Sequence, residues 1–361
     1  MVVPLANIMD IGFVAMTPII VYIVGIDVAL IMLGLCALGF TMGWVMRLNI
    51  RRFELVSGEK GLARTISRTS QLALIVASLV NVAYYLQLMG SVVIFLIVLP
   101  FGIENVLLVF GRESTGAGVA VLSLIALGSI GFFFGLEKLN NLGNKTTAFN
   151  LAAVAAIIVG FLAYNIITAA EGTWTTPNYN PPVTTTGLRQ VLGFFAIVQG
   201  FEASRYIGEQ YSAKRRISTM RLAQIIATIA FVLFPLAALT LFAEVQPEPR
   251  GFAVVEIAAV ASPVLPWLVL ALAIGSQASA SVNAISSRSA VLMDLTNEEI
   301  PKRFTYPALA LGALAVVLVT DVLSAVAVAS RVFAAFFTLQ CSIALILAVR
   351  DQKWSRAAGI T

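Results

Sequence analysis

Apolar runs of roughly 20 residues recur along the whole chain, each long enough to cross the ~30 Å hydrocarbon core of a bilayer as a helix. Lipid offers nothing to a free backbone N–H or C=O, so a spanning segment must be a helix or part of a closed barrel. Runs of this length and unbroken apolarity select the helix. Composition agrees: 59% of the 361 residues are hydrophobic and 11% charged, against about 25% charged in a soluble domain. Mean hydropathy is +0.94. The chain is read as an all-α integral membrane protein. No Pro/Gly/Ser-rich linker or charged tail divides it, which predicts a single transmembrane domain over 1–361. Its start, Met1-Val2-Val3-Pro4-Leu5, has no basic leader and no small-residue cleavage site, and is not read as a signal peptide.

The runs place helices at about 3–24, 28–48, 68–98, 116–137, 148–170, 187–211, 220–243, 264–293, 305–320 and 323–349, ten in all. The stretch from Gln71 to Phe110 is too long for one span and short for two. It is assigned one long helix and an outer segment, Phe101 to Phe110, on or dipping into the membrane surface. A second outer element is expected between Gly251 and Ala261. With the N-terminus in the cytoplasm, the outer side holds only Arg112, Arg189 and Arg250, and Arg331 lies inside the last helix. The remaining nineteen of the 23 Lys and Arg residues fall on inner loops and inner helix ends. That asymmetry is what the positive-inside rule demands of one orientation, and it places both termini in the cytoplasm. Topology thus accounts for the basic pI of about 9.4, and no nucleic-acid partner is needed.

Two absences prune the chemistry. The chain has no histidine, which removes His proton relays, Ser-His-Asp triads and His metal sites. Its two cysteines, Cys36 and Cys341, lie far apart in separate apolar helices, against a disulfide framework or a Cys-cluster zinc site. An enzyme is disfavoured, since no nucleophile–base pair or metal cluster is visible.

The sixth apolar run is interrupted by a polar island, Gln199-Gly200-Phe201-Glu202-Ala203-Ser204-Arg205. A carboxylate beside a helix-breaking glycine at bilayer depth is expensive, and persists where it is buried in protein or lines a cavity. Ten helices with both ends inside divide into halves of opposite topology, about 1–170 and 187–349. Inverted repeats of this kind mark transporters whose site lies at broken helices in equivalent positions. The first helix of each half should then carry the break. The first contains Asp10-Ile11-Gly12-Phe13 and the sixth Gly200-Phe201-Glu202, each a Gly-Phe pair beside an acid.

Here the sequence resembles the amino acid–polyamine–organocation permeases, which adopt the LeuT-type five-plus-five inverted repeat. Gly200-Phe201-Glu202, Ile207-Gly208-Glu209-Gln210-Tyr211 and Lys214-Arg215-Arg216-Ile217 are similar to that family's sixth helix and following loop. The family usually has a second acid where Gln210 stands, and two prolines absent here. Gln277-Ala278-Ser279-Ala280-Ser281 to Ser287-Arg288, with Pro301-Lys302 beyond, resembles its eighth helix, and Gly135 to Asn140 its fourth-to-fifth connection. Family members often have twelve helices, two more than are counted here. The resemblance implies discontinuous first and sixth helices. It also implies backbone N–H groups freed at the first break to bind a substrate carboxylate. Asp10 stands there where a small residue is usual; ionised, it would repel a carboxylate and favour an amine or cation.

The candidate substrate-binding residues are Asp10, Gly12, Phe13, Tyr84, Gln199, Gly200, Phe201 and Glu202. Glu202 reads as gate, proton carrier or substrate contact, or alternatively as a structural carboxylate neutralised by Arg205 on the same helix face. Arg205 and Glu209, near the inner end, read as gating ion pairs. Tyr84, Tyr85 and Gln87 would line the site by family analogy, or else simply bond between helices. Ser276, Ser279 and Ser281 would complete a cation site, or else permit close helix packing. Arg331 needs a partner, with Glu104, Glu256 and Asp10 as candidates. No cofactor is expected. The coupling ion is a proton or sodium, and two acids without a visible oxygen cage favour the proton.

The expected function is secondary active transport of an amino acid or related small organic amine by alternating access, proton-coupled or by exchange. The expected location is a bacterial-type plasma (inner) membrane. A transporter-like sensor or scaffold that binds a ligand without moving it is the alternative.

Overall fold

The computed structural model describes residues 2–56, 61–98, 112–177, 179, 181–208, 211–245 and 253–350. Among them every regular element is helical: α1 (Val2–Ile8), α2 (Gly12–Val24), α3 (Val28–Val56), α4 (Leu62–Val98), α5 (Arg112–Phe134), α6 (Glu137–Ala170), α7 (Thr185–Leu192), α8 (Ala213–Ala238), α9 (Ala253–Ala261), α10 (Leu265–Leu295), α11 (Lys302–Val319) and α12 (Val322–Arg350). Short 3₁₀ segments cover Gly25–Asp27, Phe195–Val198, Phe201–Tyr206 and Leu239–Ala243.

Eight helical stretches among the described residues are long and apolar enough to cross a membrane. One of them, Gly12–Glu54, is 43 residues long and holds both α2 and α3. Gly25, at φ 61°, turns the chain between the two. Every helix expected from the apolar runs falls largely in one of these stretches except the first, which is broken after Ile8 and enters a stretch only from Gly12, and the sixth. The sixth needs correction, because the α-helix stops at Leu192 rather than continuing to 211. Several helices also run past their apolar cores into polar sequence, α3 to Val56 and α4 back to Leu62, because a helix end outside the hydrocarbon needs no apolar side chains. At 251–261 the structure has the helix α9; the segment at 101–110 lies outside the described residues.

The helices sort into two groups by what they touch. In one, α4 is the hub, packed on α5, α10, α11 and α12, with α11 also against α5 and α10. In the other, α1, α3, α8 and the segment Phe201–Tyr206 pack on one another. α4 and α5 approach closely where Gly90 meets Gly116, backbone against backbone, and no side chain would fit. The outward faces carry large apolar groups such as Leu122, Phe133, Phe134, Ile166, Leu311 and Val319. Such a surface belongs against acyl chains rather than water.

Candidate functional site: two interrupted helices and their acids

The first helix unwinds over Met9 to Ile11. Unwinding frees N–H groups that must find partners where no water reaches. Ile11 donates its N–H to the Ser276 hydroxyl on α10 at 3.2 Å. Gly12 donates to Oδ1 of Asp10 at 2.6 Å. The Asp10 carboxylate is buried, with the Tyr85 hydroxyl of α4 nearby. Asn81, one turn away on α4, donates its amide to the Tyr85 oxygen at 2.6 Å. The Tyr84 hydroxyl lies 2.9 Å from where a Cβ on Gly12 would sit, and has no hydrogen-bond partner among the described residues. Asp10, Gly12, Tyr84, Tyr85 and Ser276 thus meet at one place.

The second interruption begins earlier than the polar island. Between Gly193 and Ala196 a single hydroxyl from α12 replaces the helical bonds: Ser330 accepts from the Ala196 N–H at 2.8 Å and donates to the Gly193 carbonyl at 2.7 Å. After the turn Phe195–Val198 the chain is extended at Gln199, and Gly200 takes φ 109°. Gly200 donates its N–H to Oε2 of Glu202 at 2.8 Å, the counterpart of the Gly12–Asp10 contact. A Cβ on Gly200 would stand 2.5 Å from the Asn7 carbonyl carbon and oxygen, so the two interruptions touch through their main chains.

Glu202 does not turn to Arg205, as the same-face alternative would have it. Its Oε1 lies 3.8 Å from Nη2 of Arg288 on α10, both side chains being buried. Arg288 in turn donates Nε–H to the Ser78 hydroxyl on α4 at 2.7 Å and sits 5.8 Å from the Tyr206 ring. Arg205 points instead to Gln340 on α12, to which it donates, and lies over the Phe53 ring. Farther inward, Arg216 grips Glu54 on α3 with two hydrogen bonds, 2.5 and 2.8 Å. It also donates to the Arg205 carbonyl at 3.0 Å, closing the end of the 3₁₀ segment. Glu209 lies outside the described residues.

Other expected residues are placed differently. Phe13 and Phe201 are fully buried anchors for the half-helices: Phe13 stacks on Phe231 with centroids 4.3 Å apart, and Phe201 on Phe337 at 5.6 Å. Gln87 does not reach the interruptions; its amide donates to the Thr320 and Val317 carbonyls at 2.5 and 3.3 Å and caps the end of α11. The three serines of α10 do not gather. At about 100° per residue Ser281 lies roughly 140° around the helix from Ser276, on the stripe of Gln277 and Arg288 that faces α4. Ser279 is half-buried. Among the described residues no three of Asp, Glu and Cys converge as a metal set. Arg331 is exposed on the outer surface of α12 rather than turned to Asp10; Glu104 lies outside the described residues.

Sequence reasoning missed Arg288 as the partner of Glu202, though a lone arginine within an apolar span was a signal in itself. It also missed Ser330 and Gln340, which carry no such signal because serine and glutamine are common in membrane helices. Tyr84, beside Gly12, and Gln199, next to Gly200, hold buried side-chain atoms without a hydrogen-bond partner among the described residues, as do Gln277, Ser281 and Tyr206. Each such atom costs about 1–3 kcal/mol when left unmet, so those of Tyr84 and Gln199, next to the glycines that the two acids hold, are free to meet something polar.

The sequence model of a family described as "APC superfamily transporter" matches residues 1–361. An uncharacterized protein of Aquifex aeolicus (strain VF5) is 28% identical over 353 residues, covering 96% of this chain and 83% of that protein. The family is one of transporters rather than enzymes, and the bilayer and a small-molecule substrate follow from it. The match spans the whole chain, which belongs to the APC superfamily of transporters.

Proposed function

We propose that the protein is a secondary active transporter for an amino acid or a related small organic amine, working by alternating access. The observation that carries this reading is the pair of interruptions, in contact through Gly200 and Asn7, with an acid folded onto a freed N–H group at each. The family resemblance assigns such N–H groups to a substrate carboxylate. Here Asp10 and Glu202 occupy the Gly12 and Gly200 N–H groups with carboxylates of the chain's own. That favours an amine or cationic end of the substrate at the centre. Tyr84, Gln199 and Gln277 supply polar atoms to meet the rest of it.

The ten-helix, five-plus-five inverted-repeat architecture and the cytoplasmic placement of both termini in a bacterial-type plasma membrane belong to the same proposal. Proton coupling does as well: a carboxylate that trades its partner for a proton can change charge within the cycle, and Asp10 and Glu202 are placed to do so. The test is thermal unfolding of the purified protein with a panel of amino acids, amines and polyamines, at acidic and neutral pH, with and without sodium. A ligand at 100 times its dissociation constant adds about 2.7 kcal/mol to a reversible unfolding equilibrium. The expected result is a shift confined to one chemical class and lost in Glu202→Gln, followed by uptake of that class into proteoliposomes. No shift and no uptake across the panel would sink the reading.

A further inference from the structure

Near one end of the bundle, where α3 packs on α12, one side chain bonds to both groups of helices. Gln340, on α12, is fully buried. Its Oε1 accepts from Nη1 of Arg205, in the segment Phe201–Tyr206, and from Nδ2 of Asn49, on α3, at 2.9 Å. Asn49 also donates to the Gln340 carbonyl at 3.0 Å. On the other side, Nε2 of Gln340 donates to the Ser70 hydroxyl on α4 at 2.9 Å. Ser70 spends its own proton on the Ser67 carbonyl at 2.7 Å, so it can only accept from Gln340. The proton count therefore fixes which way the amide faces: oxygen to the two donors of one group, nitrogen to the acceptor of the other. An amide serves both sides at once, which an apolar side chain cannot do.

Position adds to this. Arg205 lies three residues inward of Glu202, roughly 6 Å along a 3₁₀ segment rising about 2.0 Å per residue. The Gln340 network thus closes over the acidic centre from the cytoplasmic side. We propose that Gln340 is an inner clasp: its side chain fastens Phe201–Tyr206 and α3 to α4, and the cytoplasmic path to Asp10 and Glu202 opens only when its bonds to Arg205 and Asn49 break. The clasp rests on the alternating-access reading, and its test needs no substrate.

Two substitutions at this position push in opposite directions. Gln340→Leu removes every side-chain bond and releases the segment. Gln340→Glu puts a carboxylate against Arg205, and Ser70 can rotate its hydroxyl to donate in turn, so the closed arrangement is held more firmly. The probe is a membrane-impermeant maleimide applied to the cytoplasmic side of the full chain in vesicles. The background is Cys36→Ala with Cys341→Ala. The reporter is Ser204→Cys, at a fully buried position between Glu202 and Arg205. A control reporter, Ser218→Cys, sits at an exposed inner position.

Gln340→Leu should speed labelling at the first reporter about tenfold, the scale of one lost hydrogen bond to a charged group. Gln340→Glu should slow it below the parent, and the control reporter should not change. If both substitutions speed labelling equally, or neither changes it, the clasp is overturned and Gln340 only fills space. Should Gln340→Leu fail to fold, Asn49→Ala and Ser70→Ala each remove one arm, and unchanged labelling in both would overturn the proposal equally. A protein that moves no substrate but shows the opposed labelling rates would defeat the transport reading and leave the clasp standing.

Discussion

The main chain of Gly200 lies against the main chain of Asn7, and through that contact the two interruptions of the bundle become one structure. Glycine is required there twice over. Its φ of 109° is one that other residues rarely adopt, and a Cβ would collide with the backbone of α1 rather than with a side chain able to move. Gly200→Ala should therefore cost several kcal/mol, of the order expected for strained backbone plus overpacking. Gly12→Ala makes the comparison: its Cβ would meet Asp10 Oδ1 and the Tyr84 hydroxyl, both ends of side chains that can shift. Thermal unfolding in detergent should rank Gly200→Ala well below Gly12→Ala, and equal melting points would contradict the contact.

The pair Glu202–Arg288 is buried on both sides, so removing either member leaves a charge without its partner. Arg288→Met should destabilise by about 3–5 kcal/mol, whereas Glu202→Gln combined with Arg288→Met should recover part of that loss. A double-mutant cycle on unfolding free energy measures it. Strictly additive losses would show that the two groups do not act on each other across their 3.8 Å.

Ser276 accepts the N–H of Ile11, a donor with nowhere else to go once the first helix is broken. Ser276→Ala should cost about 1–3 kcal/mol, the penalty of a buried unsatisfied donor. The half-buried Ser279 should change stability by no more than about 0.5 kcal/mol on conversion to alanine. Equal sensitivity at both positions, together with a sodium-dependent melting point lost in each, would instead favour a shared cation site.

Asp321 caps the start of α12, one residue before the apolar stretch that begins at Val322. Burial alone would raise its carboxyl, but hydrogen bonds from the Ser324 N–H and hydroxyl, both 2.8 Å, outweigh that and hold it below the ordinary value. A depressed folded-state value means the stabilisation is complete above the unfolded carboxyl's pKa, about 3.9, and is lost as pH falls through the folded value. Asp321→Ala should lower stability by about 1 kcal/mol at neutral pH. The difference from the parent should shrink at strongly acid pH; a constant gap across that range would rule out the capping account.

Some of this arrangement is legible in the sequence, for reasons that can be named. The interruptions at Asp10-Ile11-Gly12 and Gln199-Gly200 show because a polar residue beside glycine is rare within an apolar run. Each acid's contact with a glycine N–H spans only two residues, so it is local chemistry. The unwinding from Gly193 is not legible, because the hydroxyl that props it comes from Ser330, 137 residues away. Nor is the choice of Arg288 over Arg205 by Glu202: helical spacing offers Arg205, while tertiary packing supplies Arg288. Ser281's turn away from Ser276 follows from spacing alone; a cluster of one residue type drew attention from its geometry.

The place of α4 at the hub bears on the order in which the chain can be completed. Its polar groups meet partners made much later: Ser78 waits for Arg288 across 210 residues, and Gln87 for the Thr320 carbonyl across 233. Until the second half emerges from the ribosome, those groups face lipid, water or the insertion machinery. The first half is therefore inserted before it is folded. Two fragments cut in the loop between α6 and α7 should each be unstable when made alone, yet assemble when made together, because buried polar groups of each, such as Ser78 and Arg288, are bonded by the other.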